Sequence, residues 1–135
     1  MLSVDLTIRP CRDHVIVALR GELDLADAAD VVSALTAAAA GHREAIVDLA
    51  GLAFIDCSGA AALVRAHGQV RQAGGILLLA APRPQVRRVF VLSHLIDAVS
   101  FYASVGQATG VCDRPGMVAT PRPCAVTAGL SREPA

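Results

Sequence analysis

The sequence predicts one α/β domain built on a small mixed sheet of about five strands, a class that three features define. Two strand-like runs open the chain, joined by a link so short that they must pair antiparallel. Helical and strand periodicities then alternate, the pattern of helices crossing between parallel strands in the usual right-handed sense. A length of 135 residues, 54% of them apolar, fits one core and leaves little over. No internal repeat divides the chain.

The elements follow in order. From Val4 to Ile8 apolar and polar residues alternate, the mark of a half-buried strand, and Pro10 to Asp13 reads as a turn. His14 to Leu19 is the second strand. Gly21-Glu22-Leu23-Asp24 interrupts it, after which Leu25, Ala28, Ala29, Val32, Leu35 and Thr36 recur at helical spacing up to a stop at Gly41. Glu44 to Leu49 is a third strand. Beyond Gly51, the run Leu52 to Ile55 leads into Asp56-Cys57-Ser58-Gly59, where a second helix begins with Leu63, His67 and Val70 on one face and ends at Gly74-Gly75. Ile76 to Ala80 lacks alternation, as a strand buried on both faces does. Pro82 or Pro84 opens a third helix that turns Val86, Val89, Phe90 and Leu92 inward and Arg83, Arg87 and Arg88 to water. Val99 to Tyr102 is a short last strand, and a final helix starting near Ser104 is weakened by Gly106 and Gly110. Residues 1–110 are the expected domain. Residues 111–135, rich in proline and without period, are expected to be a flexible tail.

Composition excludes several classes. Net charge is zero and the charges are scattered, whereas a nucleic-acid binder depends on a basic excess to neutralise phosphates. All basic residues are arginine, which reads as genomic bias. Mean hydropathy is +0.53, yet no apolar run approaches the roughly 18 residues of a membrane span. The first residues lack the layout of a secretory signal, so cytoplasmic residence is the expectation. Cys11, Cys57, Cys112 and Cys124 form no metal-type pairs, and free thiols are expected in a reducing compartment. Neither a metal nor a cofactor is called for.

Two segments carry candidate chemistry, Gly21-Glu22-Leu23-Asp24 and Asp56-Cys57-Ser58-Gly59. Each ends a strand and precedes a helix, where open α/β sheets meet ligands and partners, so both are expected on one edge of the domain. A serine at a helix start ordinarily caps it. The functional reading of Ser58 is a phosphate acceptor: phosphorylation adds about −1.5 to −2 charges, which the helix amides and dipole tolerate without refolding. At an effective dielectric near 20, unit charges about 5 Å apart interact by roughly 3 kcal/mol, on the order of a hundredfold in a partner's affinity.

These segments, with Ile46-Val47-Asp48-Leu49 and Phe54-Ile55 between them, resemble the STAS domains of bacterial anti-sigma-factor antagonists from about Val4 to Tyr102. The Asp-x-Ser-Gly segment is the most specific element. The resemblance implies a non-enzymatic protein that binds an anti-sigma factor, itself commonly a serine kinase, and so frees a sigma factor. It further implies that the kinase phosphorylates Ser58, that a phosphatase reverses this, and that Asp24, Asp56, Cys57, Ser58 and Gly59 meet the partner. Cys57 stands where the family commonly has serine or threonine, and Ala60-Ala61 where Leu-Gly is frequent. The rival within the same resemblance is a STAS subunit of a membrane lipid-transport complex or a stress-sensing assembly.

Blander readings stand beside these. Asp24 and Asp56 suit helix caps, and Cys57 suits a small core filler. His67 suits packing or surface, and Arg83, Arg87 and Arg88 a solvated face. Catalysis by Ser58 or Cys57 lacks a Gly-x-Ser-x-Gly context, and nothing nominates His14, His42, His67 or His94 as its base.

Overall fold

A computed structural model describes residues 4–11 and 14–113. The opening strands, β1 (Val4–Cys11) and β2 (His14–Leu23), pair antiparallel from Val4↔Gly21 to Cys11↔His14, as the short link requires. Helix α1 (Leu25–Ala39) leads to β3 (Glu44–Ile55), α2 (Cys57–Gln72) to β4 (Ile76–Ala80), and α3 (Pro84–Leu92) to β5 (Phe101–Tyr102) through a 3-10 turn, Ile96–Ala98. Helix α4 (Val105–Asp113) follows. Strands β2 to β5 are parallel, and the five lie in the order β1-β2-β3-β4-β5.

The sheet separates two apolar layers. On one face Val31 and Leu35 of α1, Leu63 and Val70 of α2, and Val86 and Phe90 of α3 meet Val15, Val17, Val47, Leu77 and Leu79. Across the sheet Ile16, Ile46, Leu78 and Ala80 meet Ala108 of α4, with Val105 and Tyr102 beside them. Leu77 to Ala80 are thus buried on both faces, as their lack of alternation predicts.

Several expectations need correction. Strand β1 continues through Pro10 and Cys11, because it lies at the sheet edge, where a proline costs no ladder bond. Strand β2 continues through Gly21 to Leu23 instead of breaking; register shifts at Ala18/Arg20 and Gly21/Glu22 absorb the glycine, which sits at φ +97°. Strand β3 likewise runs unbroken through Gly51, where a Cβ would stand 2.7 Å from Arg20 Cγ. On α1 the buried face is Ala28, Val31, Val32, Leu35 and Ala39, so Leu25 and Ala29 point outward. On α3 Val86 and Phe90 are buried and Val89 half-buried, but Leu92 is 69% exposed. The last strand is only Phe101–Tyr102. Cys11 is disulfide-bonded, against the expectation of a free thiol, while Cys57 is free. Helix α4 ends at Asp113, and the tail expected over residues 111–135 lies outside the described residues from 114 onward.

Candidate functional site

The two candidate segments meet because β2 and β3 end side by side. Their parallel ladder closes with Leu23 opposite Ile55, and the Asp56 amide then donates to the Leu23 carbonyl at 3.2 Å. From this shared edge each strand enters a helix through an aspartate. Asp24 is the N-cap of α1, its Oδ1 accepting from the Ala26 amide at 3.1 Å. Asp56 is the N-cap of α2, its Oδ1 accepting from the Gly59 amide at 2.8 Å. Each carboxylate satisfies an amide that the helix start leaves unpaired. The capping readings of Asp24 and Asp56 are correct.

Asp56 caps α2, so Ser58 does not. Ser58 is the second residue of the helix and is half-buried; Cys57 before it is exposed. That exposure overturns the reading of Cys57 as core filler: the first helical position lies outside the buried stripe of Gly59, Ala60, Leu63 and Ala66. Gly59 has a steric reason to be glycine. A Cβ there would lie 2.6 Å from the Leu23 carbonyl oxygen, 2.8 Å from Ile55 Cγ1 and 2.9 Å from Leu23 Cγ. The helix therefore starts pressed against both strand ends at Gly59, the residue after Ser58.

The surroundings are acidic and partly apolar. Glu22, opposite Phe54 in the ladder, is exposed, and Asp24 and Asp56 are half-buried. Leu25 is 72% exposed and Phe54 48% exposed, two large apolar side chains flanking the caps. The sequence reading assigned neither to the site. Leu25 fits the helical period and Phe54 lies in an apolar run, so nothing in the local pattern marks them as outward. Chemically the edge offers a hydroxyl on a first helical turn, beside carboxylates already engaged by amides. No cluster of metal-binding side chains occurs among the described residues. No helix among them is long and apolar enough to cross a membrane.

Comparison with known proteins agrees with this architecture. The chain resembles SpoIIAA in the structure of that anti-sigma factor antagonist in its unphosphorylated form (24% identity, 85% of this chain and 100% of that one, TM-score 0.68). SpoIIAA, a Bacillus cell fate determinant, is also known in a phosphorylated form. An anti-sigma factor antagonist from Mycobacterium paratuberculosis matches with 21% identity over 81% of this chain and 93% of that one, at a TM-score of 0.71. The murine anion transporter Slc26a9 matches with 14% identity over 85% of this chain but only 23% of its own, at a TM-score of 0.67. At these identities the likenesses speak for the fold. The STAS domain model matches residues 6–108, spanning both capped helix starts and the sheet between them, and the chain belongs to the STAS domain family.

Proposed function

We propose that this chain is an anti-sigma-factor antagonist that works by binding and not by catalysis. Unmodified, it docks a kinase-type anti-sigma factor at the edge formed by Asp24, Asp56, Cys57, Ser58 and Gly59, and a sigma factor is released. Phosphorylation of Ser58 by that kinase ends the binding, a phosphatase restores it, and the exchange takes place in the cytoplasm without nucleic acid or membrane insertion.

One observation carries the reading: Asp56 does the capping, which frees the half-buried Ser58 hydroxyl from a structural task at a partly solvent-reached helix start. The structural relatives named as anti-sigma factor antagonists support it, as does the existence of a phosphorylated SpoIIAA. A phosphate on Ser58 would add its charge to that of Asp56 at the same helix start, and the dipole of α2 offsets part of that crowding. A partner fitted to the unmodified edge then meets added bulk and charge. By Coulomb's law at an effective dielectric near 20, that is roughly 3 kcal/mol at about 5 Å.

The test is to titrate the cognate anti-sigma factor with the unmodified protein, Ser58→Ala and Ser58→Asp. Ser58→Ala is expected to bind like the unmodified protein and to resist kinase inactivation. Ser58→Asp is expected to bind at least about tenfold more weakly, the single charge being a partial mimic of phosphate. Equal affinities for all three remove the switch. A second reading is a STAS subunit of a membrane lipid-transport or stress-sensing assembly; the likeness to part of Slc26a9 shows the fold within an anion transporter. Genes for transport permeases beside this one favour it, and genes for a kinase or sigma factor favour the switch.

A further inference from the structure

Helix α3 presents an outward stripe at the spacing i, i+3, i+4, i+7, i+8: Pro84, Arg87, Arg88, Val91 and Leu92. Its opposite stripe, Val86 and Phe90, is fully buried. On the outward stripe Arg87 and Arg88 are exposed and, among the described residues, meet no carboxylate. One turn on, Val91 is 43% and Leu92 69% exposed. A solvated helix face has no use for two large apolar side chains beside unpaired guanidinium groups, and the third turn of α3 is where the sequence pattern expects inward packing.

The N-terminal end of α3 is tied to β3. Arg83 Nε donates to the Ala50 carbonyl at 2.8 Å, and Gln85 Nε2 lies 3.4 Å from the Ala53 carbonyl, so α3 is fastened to the part of β3 that outruns β4. At its other end Phe90 meets Phe101 edge-on, with ring centroids 5.0 Å apart. Phe54, beside Ala53, leads from that fastening back to Asp56.

We infer that the outward face of α3 is a second docking surface for the partner that meets Ser58, and that it receives an acidic amphipathic segment of that partner. Carboxylates of the segment pair with Arg87 and Arg88, and its apolar side chains cover Val91 and Leu92. A lipid surface suits the stripe less well, because membrane affinity scales with buried apolar area and this nine-residue helix offers two such side chains. The inference rests on the proposed function for the identity of the partner. It goes beyond that reading in giving the partner a hold on the protein away from the phosphate.

The experiment measures binding of the cognate anti-sigma factor to the unmodified protein, Ser58→Asp, the double variant Arg87→Glu/Arg88→Glu, and Leu92→Ser, with circular dichroism as a check on folding. The substituted side chains are exposed, so all variants are expected to fold. The double variant is expected to bind about tenfold more weakly at low salt, and the deficit is expected to shrink as salt rises. Leu92→Ser is expected to lose about threefold to tenfold at any salt. Unchanged affinity in both α3 variants, with Ser58→Asp still impaired, overturns this surface and leaves the proposed function standing. No binding by the unmodified protein overturns both. Loss of self-association, or of sedimentation with phosphatidylglycerol vesicles, without loss of anti-sigma-factor binding also overturns it, assigning the stripe to a second copy or to a membrane.

Discussion

At the scale of single residues, Gly59 is the position with least freedom. Its missing Cβ makes room for the Leu23 carbonyl and for Ile55, so Gly59→Ala must push α2 away from both strands. Overpacking of this kind costs about 1–3 kcal/mol, and urea denaturation is expected to show a loss in that range with the slope unchanged. His67 supplies a pH signature. Burial, and secondarily Arg71, lower its pKa below the ordinary 6.5. As pH falls below that value the unfolded chain takes up the proton first, so this contribution is whole above pH 6.5 and is lost on the way down to the folded value. The melting temperature of the native protein is therefore expected to fall more steeply between pH 7.5 and 5.5 than that of His67→Gln. Among the site residues, Asp24, Asp56, Ser58 and Gly59 are legible in the sequence, since a cap before a helical period and a short motif are local signals. The exposure of Leu25, Phe54 and Cys57 is not legible, because it depends on where each helix start sits against two strand ends.

At the scale of elements, α2 is built by local rules and stops by one. Gly75 donates to the Val70 carbonyl at 2.9 Å and Gly74, at φ +94°, to that of Arg71 at 3.0 Å, the glycine-terminated ending that Gly74-Gly75 predicts. Gly68 is different: it lies inside α2, exposed, with nothing within 4 Å of a Cβ built there. Gly68→Ala is expected to raise stability by about 0.5–1 kcal/mol, read as a higher melting temperature. Helix α4 forms where the sequence expects it, near Ser104, despite Gly106 and Gly110. Ser104 Oγ accepts from the Gln107 amide at 3.1 Å while Gln107 Oε1 accepts from the Ala103 amide at 3.2 Å, close to a capping box, and Ala108 is buried against the second face of the sheet. Local capping and tertiary burial outweigh two glycines there. The glycines of β2 and β3 mislead for a related reason. Gly21 and Gly51 read as breaks in isolation, but across the ladder they lie at the irregular part of one continuous pairing.

At the scale of the whole molecule, the Ser58 edge and the stabilising layers are largely separate. Val47, Leu77, Leu79 and Phe90 hold the helical face, while Ile46 and Leu78 hold the other, and Ser58 belongs to neither layer. A charge placed at Ser58 should accordingly leave stability nearly untouched. Ser58→Asp is expected to melt within about 2 °C of the native protein, since a carboxylate in a first helical turn gains from the dipole roughly what it loses beside Asp56. A fall of more than about 5 °C would show that the hydroxyl is part of the scaffold after all. The class and the element order were open to sequence reading because periodicity and connection length decide them. The division of the sheet into two faces was not, because it depends on which crossover lands on which side.

The strand order β1-β2-β3-β4-β5 has one more consequence. Every strand finds its neighbour already made when it emerges, and none has to be threaded between two that are in place. Synthesis on the ribosome can lay the sheet down from one border to the other, so a nascent chain that has released β3 already owns the complete hydroxyl-bearing cradle's two walls, and the later half of the protein is added without disturbing them.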